Sequence, residues 1–168
     1  SWTFYDQAAN GEPPAQGDAS WNQIAYNDSN WPGSGPGKLG YGDSDVVTTV
    51  GYGGDSSHKY ITTYFRRSFQ ITDLDTISAM MMRLRFDDAV AVYLNGTEIY
   101  RHNLPAGPIS FDTLATSTGS ETKIYSHYFD PTDLLVSGTN VLAAEVHQRS
   151  QTSSDIAFNL DLAVIEET

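Results

Sequence analysis

Between Met80 and Leu94 the apolar residues fall on every second position, and this rhythm constrains the fold more than any other feature. Met80, Met82, Leu84 and Phe86 point to one side, and Met81, Arg83 and Arg85 to the other. A period of two belongs to an extended strand, whose successive Cβ atoms leave opposite faces of a sheet. A helix needs apolar residues three and four apart, and that spacing is nearly absent. Beyond Asp87-Asp88 the apolar face resumes at Val90, Val92 and Leu94. Ile156, Phe158, Leu160, Leu162 and Val164 repeat the pattern, as do Leu142, Ala144 and Val146 against Ala143, Glu145 and His147. Strands with one wet face are expected over 60–71, 78–86, 89–94, 97–101, 141–148 and 156–164. Within 60–71, Phe65, Phe69 and Ile71 face inward, and Arg67 falls among them without a reason visible in the sequence. Asn95-Gly96 predicts a two-residue hairpin, since both central positions of that turn favour positive φ. One helical turn is expected near 132–136.

Residues 28–57 are different. "NWPGSGPGKLGYGDSD" and "GYGGDSS" are turn-rich, yet Trp31, Leu39, Tyr41 and Tyr52 can pin them as ordered loops. No linker divides the chain, so residues 1–168 are expected to form one all-β domain, an antiparallel sandwich. Its 39% hydrophobic and 12% aromatic content suffices for a core. A net charge of -12 makes nucleic acid a poor partner and favours divalent cations. With no Cys there is neither a disulfide framework nor a thiolate metal site. No apolar run approaches a membrane span. Ser1 in place of Met is expected to begin a mature or excised piece.

The order of features resembles the galactose-binding-like jelly-roll domains, including the sugar-binding domain of family 2 glycoside hydrolases and accessory modules of bacterial exoenzymes. The residues that carry it are "YNDSNWPGSGPGKLGYGD", "TTYFRRSF", "DDAVAVYLNGTEIYRHNLP", "GTNVLAAEVHQ" and "SSDIAFNLDL". The resemblance implies a jelly roll from a larger secreted protein, a carbohydrate ligand, adjacent domains of a multidomain parent as partners, and no catalysis. The rival expectation is a docking module that packs on a neighbouring catalytic domain and binds no sugar. An Asp-Asp pair before a "V-x-V-Y-L-x-G" strand is also similar to protective-antigen-type adhesin domains, where such a pair holds calcium. That likeness is an analogy between different folds.

Asp87 and Asp88 raise the sharpest question, because adjacent carboxylates repel and resist desolvation. Either backbone N–H groups satisfy them in a turn, or they supply ligands to a mainly structural Ca²⁺, or they form an acid/base dyad, which would need a bulge because adjacent strand residues point to opposite faces. The connection "EVHQRSQTSSD" offers His147, Gln148, Ser154 and Asp155, a mixture of donors and acceptors suited to sugar hydroxyls. Arg101 and Asn103 end the strand after the hairpin and are expected on the same rim. Trp31 and Tyr41 are the favoured aromatics for stacking on a sugar ring, although packing alone also explains them. Asp43 and Asp45 have the spacing of calcium loops but lack the rest of that pattern. Asn27 and Asn95 stand in glycosylation acceptor sequences, and the hairpin explains Asn95 better. "YGDSD" resembles the start of an esterase motif, but no helix pattern or late Asp-x-x-His accompanies it. The four histidines lack zinc-ligand spacing.

Overall fold

The computed structural model describes residues 1–120 and 122–166. All six expected strands form, within two residues of their expected starts except the one that begins at Gly138: Thr62–Ile71 (β5), Ile77–Asp87 (β6), Ala89–Leu94 (β7), Thr97–His102 (β8), Gly138–His147 (β10) and Ile156–Glu166 (β11). Five shorter strands join them: Trp2–Tyr5 (β1), Gly33–Gly35 (β2), Leu39–Tyr41 (β3), Thr48–Thr49 (β4) and Tyr125–Phe129 (β9). Each is too short to display a period in the sequence. Among the described residues there is no helix; at 132–136 the expected turn is one loop of chain in which Leu135 N–H donates to Pro131 O at 3.1 Å.

The strands make two sheets, ordered β2-β1-β5-β10-β7-β8 and β4-β3-β11-β6-β9. Every pairing is antiparallel except β3 with β4. The chain is therefore a β-sandwich. Its main core lies between the sheets, where Phe65 stacks on Phe158 at 4.3 Å and Trp2 meets Phe158 edge-on at 5.0 Å. Asn95 has φ 52 and Gly96 φ 91, as the hairpin turn requires. The Asn95 side chain is used internally, donating to Leu134 O and Asn140 Oδ1, both at 2.8 Å.

Arg67 lines the mouth of the core with Trp2, Phe69, Leu142 and Leu162 and is exposed. An arginine at such a mouth can lay its stem on apolar side chains and keep its charge in water. This accounts for a charge on an otherwise apolar face.

The wet face expected for β10 is overturned. Ala143, Glu145 and His147 are 0%, 5% and 0% exposed. The irregular N-terminal segment covers this outer face, so Ala8, Trp21 and Tyr26 form a second core with Tyr64, Val141 and Ala143. Arg66 of β5 fastens the cover. Its guanidinium donates to Trp21 O, to Gln23 O at 3.1 Å and to Tyr26 O at 3.0 Å, and its Nε reaches Asp28 Oδ2 at 3.2 Å. Burial lowers its pKa while Asp28 raises it.

Edge strands β8 and β9 meet along one side. Tyr100 lies 5.2 Å from His127, and His102 lies 4.6 Å from Tyr125, ring centroid to centroid. Burial, and secondarily Lys123, lowers the His102 pKa below 6.5. The unfolded chain therefore binds that proton more readily. The stability from neutral His102 is complete above pH 6.5 and declines as pH falls from there toward the lower folded value. Asp55, held at about 2 mainly by the Ser57 N–H, titrates far below this window.

Two outcomes follow from this packing. Arg66→Ala should cost about 3–5 kcal/mol in urea unfolding, because it leaves the Trp21, Gln23 and Tyr26 carbonyls without their donor and Asp28 with the Thr3 hydroxyl alone of its two side-chain partners. The urea midpoint should drop between about pH 7 and about pH 5, and His102→Asn should flatten that dependence.

Candidate functional site

The loops at one end of the sandwich enclose an open cleft of about 380 Å³. Asp87 and Asp88 enter it from the β6–β7 junction, Thr118 and Gly119 from the β8–β9 connection, and Arg149, Ser150, Ser153, Ser154 and Asp155 from the β10–β11 connection. The Asp pair and the "RSQTSSD" loop thus share one site, although the sequence assigned them separate tasks.

Asp88 is 3% exposed and is satisfied by backbone donors. Its Oδ1 accepts the Gly119 N–H and its Oδ2 the Arg149 N–H, each at 2.9 Å. Its own N–H donates to His147 O at 3.3 Å, and its carbonyl accepts from Asn103 Nδ2 at 2.9 Å. One residue therefore ties together the chain segments around the cleft. The strand mouth is where this works, because loop amides converge there on a carboxylate that would otherwise be costly to bury. Gly119 follows from the same close approach: a Cβ would stand 2.7 Å from Asp88 Cα. Asp87, 6% exposed, adds a second carboxylate to the same wall.

Behind the wall lies a buried polar floor. Gln148 donates through Nε2 to Tyr41 OH at 2.9 Å and to Asp155 O at 2.7 Å, which fixes the far end of the loop. Burial, with a contribution from Asp155, pushes the Tyr41 pKa up to about 12. Lys59, 8% exposed, donates to Ser153 O and sits 5.1 Å from the Tyr52 ring centroid and 5.4 Å from that of Tyr41. His147 lies deeper. Its Nδ1 donates to Thr113 O at 2.7 Å, while Nε2 stands 3.1 Å from Glu145 Oε2 without hydrogen-bond alignment.

The expected site residues therefore separate. Ser154, Asp155, Asp87 and Asp88 line the cleft; Gln148, Tyr41, His147 and Asn103 brace it from behind. Tyr41 is only 9% exposed, so it presents no stacking face. Trp31 is half-buried over the outer face of the first sheet, packed on Tyr5 and Tyr26, with Nε1 donating to Tyr26 OH at 3.2 Å. Arg101 lines a different depression beside Tyr93 and Glu145. It is gripped by Glu98 at 2.7 and 2.8 Å and donates to Pro105 O and Gly107 O. Asp43 and Asp45 clasp the buried Lys38 ammonium at 2.7 and 2.6 Å, so a protein cation stands between them. Thr118, Gly119 and Arg149 were missed. Arg149 lay inside the singled-out loop, whereas "TSTGS" carries no signal beyond turn composition.

Chemically the cleft offers carboxylates, hydroxyls and one guanidinium, with Arg149 Nη1 donating to Thr118 Oγ1 at 2.6 Å. Among the described residues no histidine hydrogen-bonds any serine of the cleft; Ser154 Oγ donates to Asp155 Oδ1 at 2.7 Å. Nor do three or more His, Cys, Asp or Glu among the described residues gather as a metal cluster.

No protein-family model and no curated protein matches the sequence. The fold is similar to part of the beta-glucuronidase of Bacteroides uniformis, with a TM-score of 0.52 and 18% identity over 90% of this chain and 14% of that one. It is likewise similar to part of a calcium-binding mutant of Bacteroides uniformis beta-glucuronidase 2, with a TM-score of 0.50 and 16% identity over 95% of this chain and 17% of that one. The shared feature is the fold of one small all-β part of a much longer enzyme chain.

If Asp88 is the brace, Asp88→Ala should cost about 1–3 kcal/mol, since two loop amides lose their acceptor. Gly119→Ala should also destabilise, whereas Asp155→Ala, in which the Gln148 bond to the backbone carbonyl survives, should stay within about 0.5 kcal/mol. Urea midpoints of the three variants check this ordering.

Proposed function

We propose that the chain is a non-catalytic accessory module of a larger, extracellular carbohydrate-active protein, a galactose-binding-like jelly roll that binds carbohydrate in the Asp87–Asp155 cleft. The observation that carries this reading is the cleft itself: loops locked by Asp88, Gln148 and Lys59 hold exposed donors and acceptors around an open space. Fixed polar groups can read sugar hydroxyls by direction, and loops on a rigid scaffold are where such recognition is built. The likeness to a small part of two glucuronidase chains supports the module reading.

Calcium belongs to the same proposal. It takes six to eight oxygens, and the cleft's donors are oxygen-rich. Asp87 and Asp88 would be its carboxylates, Asp88 through lone pairs that its amide partners leave. The role is structural, holding the loops. A rise in melting temperature with calcium over chelator is the expected sign, and equal melting temperatures would remove the ion from the reading.

Calorimetry against a broad glycan panel tests the main claim. The expected dissociation constant lies between roughly micromolar and millimolar, because an open cleft buries little area. Asp155→Ala should weaken binding about tenfold or more, and Arg101→Ala, on another face, should leave it unchanged. Absence of binding across the panel would replace this function by the docking alternative. One observation favours that alternative: the outer face of the second sheet leaves Tyr128 63% and Ile165 38% exposed.

A further inference from the structure

Of the two aromatics nominated for stacking, Tyr41 is buried and Trp31, half-buried against Tyr5 and Tyr26, does not line the cleft, and a larger group of half-exposed rings lies elsewhere. It runs along the side where β8 meets β9: Tyr100 and His102 on one strand, Tyr125, His127 and Phe129 on the other. All five are of intermediate exposure. Rings that only closed the core there would be apolar, as Phe86 is beneath Tyr125 at 4.8 Å. Four of these five carry polar atoms instead, and none of the four makes a side-chain hydrogen bond with a described residue.

The charge here runs against the rest of the molecule. The chain has net charge -12. Along this side the charged neighbour of His102 is Lys123, whose exposed ammonium stands 4.5 Å from the Tyr125 ring centroid and has no ion-pair partner among the described residues. The ring surface adjoins the cleft through β8: His102, 5.4 Å from the Phe86 ring, precedes Asn103, whose Nδ2 donates to Asp88 O at 2.9 Å.

We propose that the β8–β9 side is a second carbohydrate subsite, continuous with the cleft, that takes a sugar residue bearing a carboxylate. It rests on the carbohydrate-binding reading of the cleft. The tyrosine and imidazole rings supply apolar contact to the pyranose, their free polar atoms meet its hydroxyls, and Lys123 supplies the charge for its carboxylate. In an acidic protein such a local positive charge favours the approach of an anionic glycan.

The test uses the whole chain with two matched probes: an oligogalacturonate and the same oligomer as its neutral methyl ester. Two-dimensional NMR should show the free acid perturbing Tyr100, His102, Tyr125 and His127 together with Thr118 and Arg149 of the cleft. The acid should bind about tenfold more tightly than the ester at low salt. Lys123→Gln, on an exposed residue, should abolish that preference without changing the melting temperature. Oligomannuronate serves as a second acidic probe, so that one wrong sugar does not decide the matter. If glycans move only cleft resonances, or if Lys123→Gln leaves the acid preference intact, the second subsite is wrong and the cleft reading stands. If neither acidic nor neutral glycans bind, both fall.

Discussion

The buried guanidinium of Arg66 is the interaction on which the rest of the architecture depends. A two-layer sandwich needs only its inner faces covered, and the first sheet here has an apolar outer face as well. Nothing regular in the sequence is available to cover it. Arg66 solves this by collecting the carbonyls of Trp21, Gln23 and Tyr26 and the Asp28 carboxylate from one point on β5. The planar fork of five donors suits several acceptors arriving from different directions, which a lysine ammonium matches poorly. Once the irregular segment is fixed, Trp21 packs on Tyr64 at 4.7 Å and Tyr93 at 5.5 Å. Polar groups can then be buried beneath it, with Tyr93 donating to Glu145 at 2.6 Å.

The loop end of the sandwich repeats this logic with other residues. Asp88, Gln148 and Lys59 are each nearly inaccessible, and each bonds to backbone rather than to another exposed side chain. Buried polar groups satisfied in this way rigidify the segments they join. The outward side chains, Ser153, Ser154, Asp155 and Arg149, are left to face the cleft. Framework and cleft surface are thus carried by different residues at this end of the sandwich, so a change that empties the surface need not unfold the frame.

Much of the site was visible in the sequence, but with roles exchanged. The Asp pair and the "HQRSQTSSD" connection stood out because polar residues interrupt clean alternation, and the fold brings them together. Which of them face solvent was not readable. His147 and Gln148 look like the start of a solvated hairpin loop, yet they close the end of β10 under other loops. Tyr41 sits in a Gly/Pro-rich stretch that suggests exposure, but β3 draws it into the second sheet. Asp43 and Asp45 have metal-like spacing, and only the fold shows the Lys38 ammonium between them. Burial of a loop residue depends on what crosses above it, and those partners come from distant positions.

The sequence by itself determined the long strands, their inward faces and the Asn95-Gly96 hairpin. These follow from local rules: the two-residue period of a pleated strand and the positive φ of one turn. The tertiary structure decided the rest. It made the outer face of β10 a second core, brought Asp88 within reach of the Gly119 and Arg149 amides, and placed the half-exposed rings of β8 against those of β9. The physical reason is common to all three. Each depends on which segment crosses which sheet face or edge, and segments without a period carry no record of that in their own residues.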